Sequence, residues 1–101
     1  MQRSGWQHRT RHFVVYMARV PGQLEPRLGL TVSRTVGKAV VRNRIKRRLR
    51  ESFRLALRPL LPGDSAIVLI ARTGAGELKT SAVTAEIKPA VAALVKRLAT
   101  C

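Results

Sequence analysis

The chain has 101 residues, of which 46% are hydrophobic, and 20 Lys and Arg against five Asp and Glu give it a formal net charge of +15. This length and apolar content favour one compact domain and argue against both a two-domain protein and a disordered basic tail. Such an imbalance is self-repelling unless a polyanion neutralises it, so we expect a nucleic acid or another anionic surface as the partner.

Neither a membrane segment nor a metal-binding cluster is visible in the sequence. No run approaches the roughly 20 apolar residues of a membrane span, and no apolar segment near Met1 resembles a signal peptide, which predicts a soluble cytoplasmic protein. Cys101 is the one cysteine and cannot form an internal disulfide. His8 and His12 lack the cysteines or clustered carboxylates of a zinc site, so we expect no metal or cofactor on the protein itself.

The first half of the chain predicts an arm followed by two strands. Residues 1–11 are polar and basic without helical or strand periodicity, which indicates an irregular arm ahead of a single domain over residues 12–101. Residues 12–18 and 28–33 are rich in strand formers and are separated by prolines, which predicts two antiparallel strands joined by a loop.

Alternation in these two strands predicts a sheet with one buried and one open side. The apolar sets that would face the core are Phe13, Val15 and Met17 in the first strand and Leu28, Leu30 and Val32 in the second. Tyr16 falls on the open side, where an aromatic ring can stack on an unpaired base.

Two helices and a third strand complete the predicted fold. Residues 38–58 contain no Gly or Pro and carry an apolar stripe formed by Val41, Ile45, Leu49, Phe53 and Ala56. Residues 66–71 are apolar throughout and indicate a central strand. Residues 81–98 repeat apolar residues at helical spacing, with Pro89 marking either a kink or the true start. The order ββαβα predicts an α+β two-layer sandwich with helices on one face of the sheet.

The first helix concentrates positive charge, with nine basic residues and one acid between Lys38 and Arg58. An ordinary solvated face mixes Glu with Lys, whereas here like charges recur four residues apart and repel by a few tenths of a kcal/mol each. Arg42 falls near the apolar line, so we expect it where the helix overhangs the sheet. The first turn would present Arg42, Asn43 and Arg44 to a phosphate, aided by the helix dipole.

Phosphate attraction alone does not distinguish DNA from RNA. A helix-turn-helix needs a short helix just before the recognition helix, but strands precede this one. A strand-rich scaffold with an open face fits single-stranded RNA better.

Residues 32–51 (VSRTVGKAVVRNRIKRRLRE) resemble the signature of the bacterial ribonuclease P protein family, and the resemblance extends over residues 11–98. It implies an accessory subunit that joins a catalytic RNA, with 1:1 stoichiometry expected, in a ribonucleoprotein that removes the 5′ leader of precursor tRNA. The hydrolysis would need Mg²⁺ and would be carried out by the RNA, so that the protein holds no catalytic residue and takes no small-molecule substrate.

Site residues follow from the resemblance position by position. Those implied to contact the catalytic RNA are Arg42, Asn43, Arg44, Lys46, Arg47 and Arg50. Those implied to line a cleft for the leader are Tyr16, Ser33, Arg34 and Arg72, with Phe13 either in the cleft or in the core. The resemblance also implies a left-handed βαβ crossover in a mixed sheet like that of a ribosomal-protein domain, against the usual right-handed preference.

The sequence departs from the family pattern in two ways. Family members usually have a longer N-terminal arm with a helix that helps form the leader cleft, whereas about eleven residues precede the first predicted strand here. Thr35 stands where a basic residue is common, although Arg34 is adjacent.

Two other functions remain open at this point. The charge and fold suit a ribosomal or RNA-chaperone protein equally well. A protein-only nuclease is disfavoured because the five acids are scattered and form no evident carboxylate cluster for two metal ions.

Overall fold

The computed structural model describes residues 5–100, which form a four-stranded sheet and two main helices. The strands are β1 (Gly5–Arg9), β2 (Phe13–Arg19), β3 (Arg27–Thr31) and β4 (Ser65–Ala71), and the helices are α1 (Ala39–Ser52) and α2 (Thr80–Thr100). Three short turns complete the set: a π turn at Phe53–Leu57 and 3₁₀ turns at Arg58–Leu60 and Ala75–Glu77. Within residues 5–100, no helix is long and apolar enough to span a bilayer.

The strands lie in the order β1-β2-β4-β3, with β3 parallel to β4 and the other pairs antiparallel. The predicted central position of the apolar strand is therefore confirmed. The predicted pairing of residues 12–18 with residues 28–33 is wrong, because β4 lies between β2 and β3. Since β3 and β4 are parallel, α1 forms a βαβ crossover between them, as the resemblance implied.

The prediction of an irregular N-terminal arm is wrong for Gly5–Arg9, which forms the edge strand β1 against β2. Residues 1–4 of that arm lie outside the described part of the chain. Hydrogen bonds to the free edge of β2 stabilise β1 as a strand, although its own sequence shows no strand periodicity. Trp6 pairs with Met17 on the helix-facing side, and the Arg97 guanidinium of α2 lies 4.5 Å from its ring centroid.

The core lies between the sheet and the two helices. Its sheet side is formed by Phe13, Val15, Met17, Ile67 and Leu69, and its helix side by Ile45, Leu49, Val83, Ile87, Val91 and Leu94. The predicted stripe of α1 is confirmed at Ile45 and Leu49. Farther along, the wide π turn shifts the inward position by one residue, so that Leu57 is buried where Ala56 was expected.

Both helical segments run slightly beyond the bounds that their apolar periodicity predicts. Helical backbone continues from α1 through the two turns to Leu60, where Pro59 occupies an early position of the last turn. Pro89 lies inside α2 and does not mark its start, which is at Thr80. Pro89 is exposed, and its missing N–H removes one helical hydrogen bond on the solvent side.

Candidate nucleic-acid interface

The six residues implied to contact RNA all lie on α1, around the side away from the core. We call them the basic face, and its members are Arg42, Asn43, Arg44, Lys46, Arg47 and Arg50. Ile45, Leu49 and Ser52 point inward, so the helical period places Asn43, Arg47 and Arg50 outward, where all three are exposed. Arg42, Arg44 and Lys46 flank them and are partly buried.

The cations of the basic face have no acidic partner within residues 5–100. The ion pairs in this part of the chain join His12 to Glu86, Arg19 to Asp64 and Arg58 to Glu25. Arg58, which the sequence grouped with the other helix cations, is thus already engaged. The one acid of α1, Glu51, accepts a hydrogen bond of 3.0 Å from the Thr80 hydroxyl of α2.

A shallow open depression lies on the outer side of α1. Its lining consists of Arg47, Arg50, Glu51 and Arg54. Three arginines thus line one depression, and the planar guanidinium group of each can grip two phosphate oxygens at once. Arg54 therefore extends the positive surface by one turn beyond the basic face.

The start of α1 is built for a close approach by an anion. The N-cap residue Lys38 makes no side-chain capping bond, and the first turn contains no acid, so the first N–H groups are left for an external acceptor. Arg42 lies at the helix start as expected, where its Nε donates to the Gly37 carbonyl over 3.2 Å. A Cβ at residue 37 would lie 2.9 Å from Val41 Cγ1, which explains the glycine.

Arg44 carries an unsatisfied donor. Its Nε is buried and has no hydrogen-bond partner among the described residues. Buried donors are rarely left unpaired in native proteins, because each costs about 1–3 kcal/mol. The N–H is shielded in this side-chain position, so an RNA acceptor would reach it only after the side chain turned outward.

The sheet side opposite the helices forms a second surface, which we call the open face. Tyr16 lies at its centre, 38% exposed, with Gln7 of β1 and Val68 of β4 as cross-strand neighbours. Gly29 of β3 continues the row beside Val68 and adds no side chain. The partly exposed aromatic ring thus offers a surface on which a base can stack.

Polar and basic residues gather at the end of the sheet nearest α1. Because β3 and β4 are parallel neighbours, with Thr31 beside Ile70, the segments that follow them leave from the same edge. Ser33 and Arg34 follow β3, Arg72 follows β4, and all three are exposed. The Ser33 hydroxyl lies 2.7 Å from that of Thr35. The fold therefore brings these three predicted cleft residues to one end of the open face.

Phe13 does not belong to this surface. It is completely buried on the helix-facing side of β2, together with Val15 and Met17. Successive strand residues point to opposite sides, so Phe13 and Tyr16 cannot share a face. The assignment of Phe13 to the leader cleft was wrong, and its other predicted role, in the core, is the correct one.

Sequence reasoning missed a hydrogen-bonded cluster that ties α2 to the turn between β1 and β2. Glu86 Oε2 accepts from the Thr10 hydroxyl over 2.5 Å and from the His12 backbone N–H over 2.6 Å, while Oε1 lies 2.7 Å from His12 Nδ1. Partial burial acts to raise the pKa of Glu86, but the hydrogen bonds from His12 and Thr10 outweigh it and lower the pKa. The cluster is a structural clamp.

The role of Arg48 was also missed. Its side chain is partly buried, and its Nη1 donates to the carbonyls of Gly76 and Leu78 over 3.3 and 2.5 Å. No local signal separates this arginine from its exposed neighbours, because its acceptors lie 28 and 30 residues farther along the chain. Among the described residues, no group of three or more His, Cys, Asp or Glu could hold a metal ion.

Comparisons with known proteins agree on one family. The model of the family described as Ribonuclease P matches residues 1–95. The ribonuclease P protein component of Desulfovibrio desulfuricans is 44% identical over 97 residues, covering 93% of this chain and 74% of the relative. That of Bacillus velezensis is 46% identical over 68 residues, covering 67% of this chain and 57% of the relative.

Solved structures of ribonuclease P proteins also match this chain. The ribonuclease P protein of Thermotoga maritima matches with a TM-score of 0.77 and 30% identity, over 88% of this chain and 83% of that one. The ribonuclease P protein of Staphylococcus aureus matches with a TM-score of 0.74 and 33% identity, over 91% of this chain and 79% of that one.

Proposed function

The chain belongs to the ribonuclease P protein family, whose members are subunits of the enzyme that processes the 5′ end of tRNA, and on that premise we propose two contact surfaces. The basic face docks the catalytic RNA, and the open face holds the single-stranded 5′ leader of precursor tRNA. The protein acts as one subunit beside one RNA in the cytoplasm.

The observation that carries the docking proposal is the unpaired positive charge along α1. Five cations share the basic face, and none has an acidic partner within residues 5–100. Held this way on a folded scaffold, these cations repel one another, and a polyanion that contacts several of them at once relieves the repulsion.

The leader proposal depends on the position of Tyr16 and on what lies at the end of its strand. An extended strand of RNA can stack a base on Tyr16 and pass its phosphates toward Arg72 and Arg34. These two arginines lie at the end of the sheet from which α1 also starts. Leader and catalytic RNA would thus meet the protein on adjoining surfaces, so that one small protein orients both.

We assign the hydrolysis to the RNA and its Mg²⁺ ions, with no catalytic residue in the protein. Each of four of the five acids already has a partner: Glu86 the His12 clamp, Asp64 and Glu25 an arginine, and Glu51 the Thr80 hydroxyl. Two-metal hydrolysis needs carboxylates that converge on one point, which these dispersed positions do not provide. The protein's contribution is to neutralise repulsion between RNA phosphates and to position the leader.

Reconstitution with a bacterial catalytic RNA tests this function. At low Mg²⁺, cleavage of precursor tRNA to the mature 5′ end should be much faster with the protein than without it. Lack of stimulation, together with tight but indiscriminate RNA binding, would instead favour a general RNA chaperone. Cleavage by the purified protein and Mg²⁺ without RNA would refute the assignment of chemistry to the RNA.

A further inference from the structure

Arg48 differs from the other basic residues of α1 in what its side chain contacts. Its guanidinium turns toward the following part of the chain and donates to two backbone carbonyls, those of Gly76 and Leu78. Because its Nη1 is shared between two carbonyls and its side chain is partly buried, Arg48 is less suited to grip a phosphate than its exposed neighbours on α1. Its role therefore depends on the chain segment that contains those two carbonyls.

They belong to the segment between β4 and α2, residues 72–79, which we call the connector. Its first residue is Arg72, whose backbone N–H donates to the His12 carbonyl over 2.7 Å and whose Nη1 donates to the Thr10 carbonyl over 3.3 Å. The Arg72 carbonyl in turn accepts from the Ala75 N–H over 3.1 Å. A hydrogen bond thus links Arg72 to Ala75, the first residue of the 3₁₀ turn in which Arg48 binds the Gly76 carbonyl.

Packing fixes the same turn from a second direction. A Cβ at Gly76 would lie 2.8 Å from Val41 Cγ1, so the connector backbone rests directly on α1. At Gly74 the backbone has a φ of +96°, a left-handed conformation that glycine adopts without strain. The connector is therefore held in one path against the helix that carries the basic face.

We propose that Arg48 is a positioning residue that fixes Arg72 relative to α1, and so aligns the leader path with the docked catalytic RNA. This inference depends on the proposed function, because it assigns Arg72 to the leader. Without the guanidinium, the Gly76 and Leu78 carbonyls lose their partner and the connector is free to shift. Arg72 keeps its own hydrogen bonds to residues 10 and 12, but its position relative to α1 is no longer fixed. Arg47 and Arg50 on the outer side of α1 are unaffected.

A double-mutant cycle on the reconstituted ribonucleoprotein tests the inference. The affinity for precursor tRNA with a leader of about ten nucleotides is divided by the affinity for mature tRNA without one, and this ratio is the leader effect. Arg48→Gln should reduce the leader effect by roughly 3- to 30-fold, which lies within the range of couplings between connected residues. Arg72→Ala should reduce it similarly, and Arg48→Gln added to Arg72→Ala should change it little further.

Controls separate positioning from loss of charge or of stability. Lys88→Gln removes one charge from the solvent side of α2 and should leave the leader effect unchanged. Arg48→Lys, which retains a donor, should recover part of the loss. Gly76→Ala, which pushes the connector away from Val41 without removing a charge, should reproduce the loss in Arg48→Gln and covers the case in which that variant folds poorly.

The outcomes are distinct. Equal losses of affinity for both tRNAs in Arg48→Gln, or additive losses in the double variant, would overturn the positioning role. A wild-type protein with no leader effect at all would instead overturn the proposed leader surface.

Discussion

Removal of two exposed arginines from the basic face should change how RNA binding responds to salt. Arg47 and Arg50 are exposed on the outer side of α1, where a docked RNA would place its phosphates. Replacement of both by Gln retains helix-forming side chains and lowers the net charge by two. The matched control replaces Lys88 and Lys96, which are exposed on α2, and lowers the charge by the same amount.

The expected size of the effect follows from counterion release. Each neutralised phosphate contributes about 0.7 to 0.9 to the slope of log affinity against log salt, so the five cations of the basic face predict a slope of about −3.5 to −4.5. Loss of two contacts should flatten the slope by about 1.4 to 1.8. Between about 50 and 200 mM salt, the variant should therefore lose roughly 7- to 12-fold less affinity than the wild type.

The assay is equilibrium binding of the catalytic RNA at several monovalent salt concentrations and constant Mg²⁺. Thermal unfolding of each variant confirms that the proteins compared are folded. The double Lys variant should keep the wild-type slope. If both double variants flatten the slope equally, the protein binds through its overall charge and α1 has no special place in docking.

Three further substitutions test other parts of the structure. Tyr16→Ala should weaken binding of leader-bearing precursor tRNA by about 5- to 150-fold, the worth of one base stack, while Tyr16→Phe should retain most of it; equal weakening for leaderless tRNA would contradict stacking on the leader. Glu86→Gln should lower the free energy of unfolding in urea at pH 7 by about 1.5–3 kcal/mol, because the clamp loses its charged acceptor. Folding lowers the pKa of Glu86, so this stabilisation is present above the unfolded-state pKa and is lost as the pH falls through the folded one. A gap between wild type and variant that does not narrow as the pH is lowered below 4.5, the ordinary pKa of a glutamate, would exclude this origin. Leu49→Ala should cost about 2–5 kcal/mol in the same measurement at neutral pH, because Leu49 is fully buried between helix and sheet, and a cost below 1 kcal/mol would show that the core is packed differently.

Elements with a strong local pattern were predictable from the sequence. Alternation located β2 and β3, an unbroken apolar run located β4, and the 3.6-residue stripe located α1. The strand β1 (GWQHR) has no such pattern, because its stability comes from the free edge of β2. Pairing between β2 and β3 was expected from their adjacency along the chain, whereas a strand more than thirty residues later separates them.

The residues of the candidate site also divide into those that a local sequence pattern predicts and those that depend on distant contacts. The cations of α1 were predictable because charge and helical period are both local. The resemblance left Phe13 open between the cleft and the core, although the strand period already placed it with Val15 and away from Tyr16. The contacts of Arg48 and Glu86 were beyond single-sequence reasoning, because the Glu86 clamp joins residues 74 and 76 positions apart.

The central position of β4 also limits the order in which the sheet can assemble during synthesis. A ribosome adds β1 and β2 first, and these can pair as a hairpin. β3 has no neighbour other than β4 among the described strands, so α1 emerges before the sheet edge that supports it exists. Until residues 65–71 follow, the most basic segment has no β3–β4 sheet edge to pack on. The geometry of both proposed RNA surfaces therefore depends on β4 having joined the sheet.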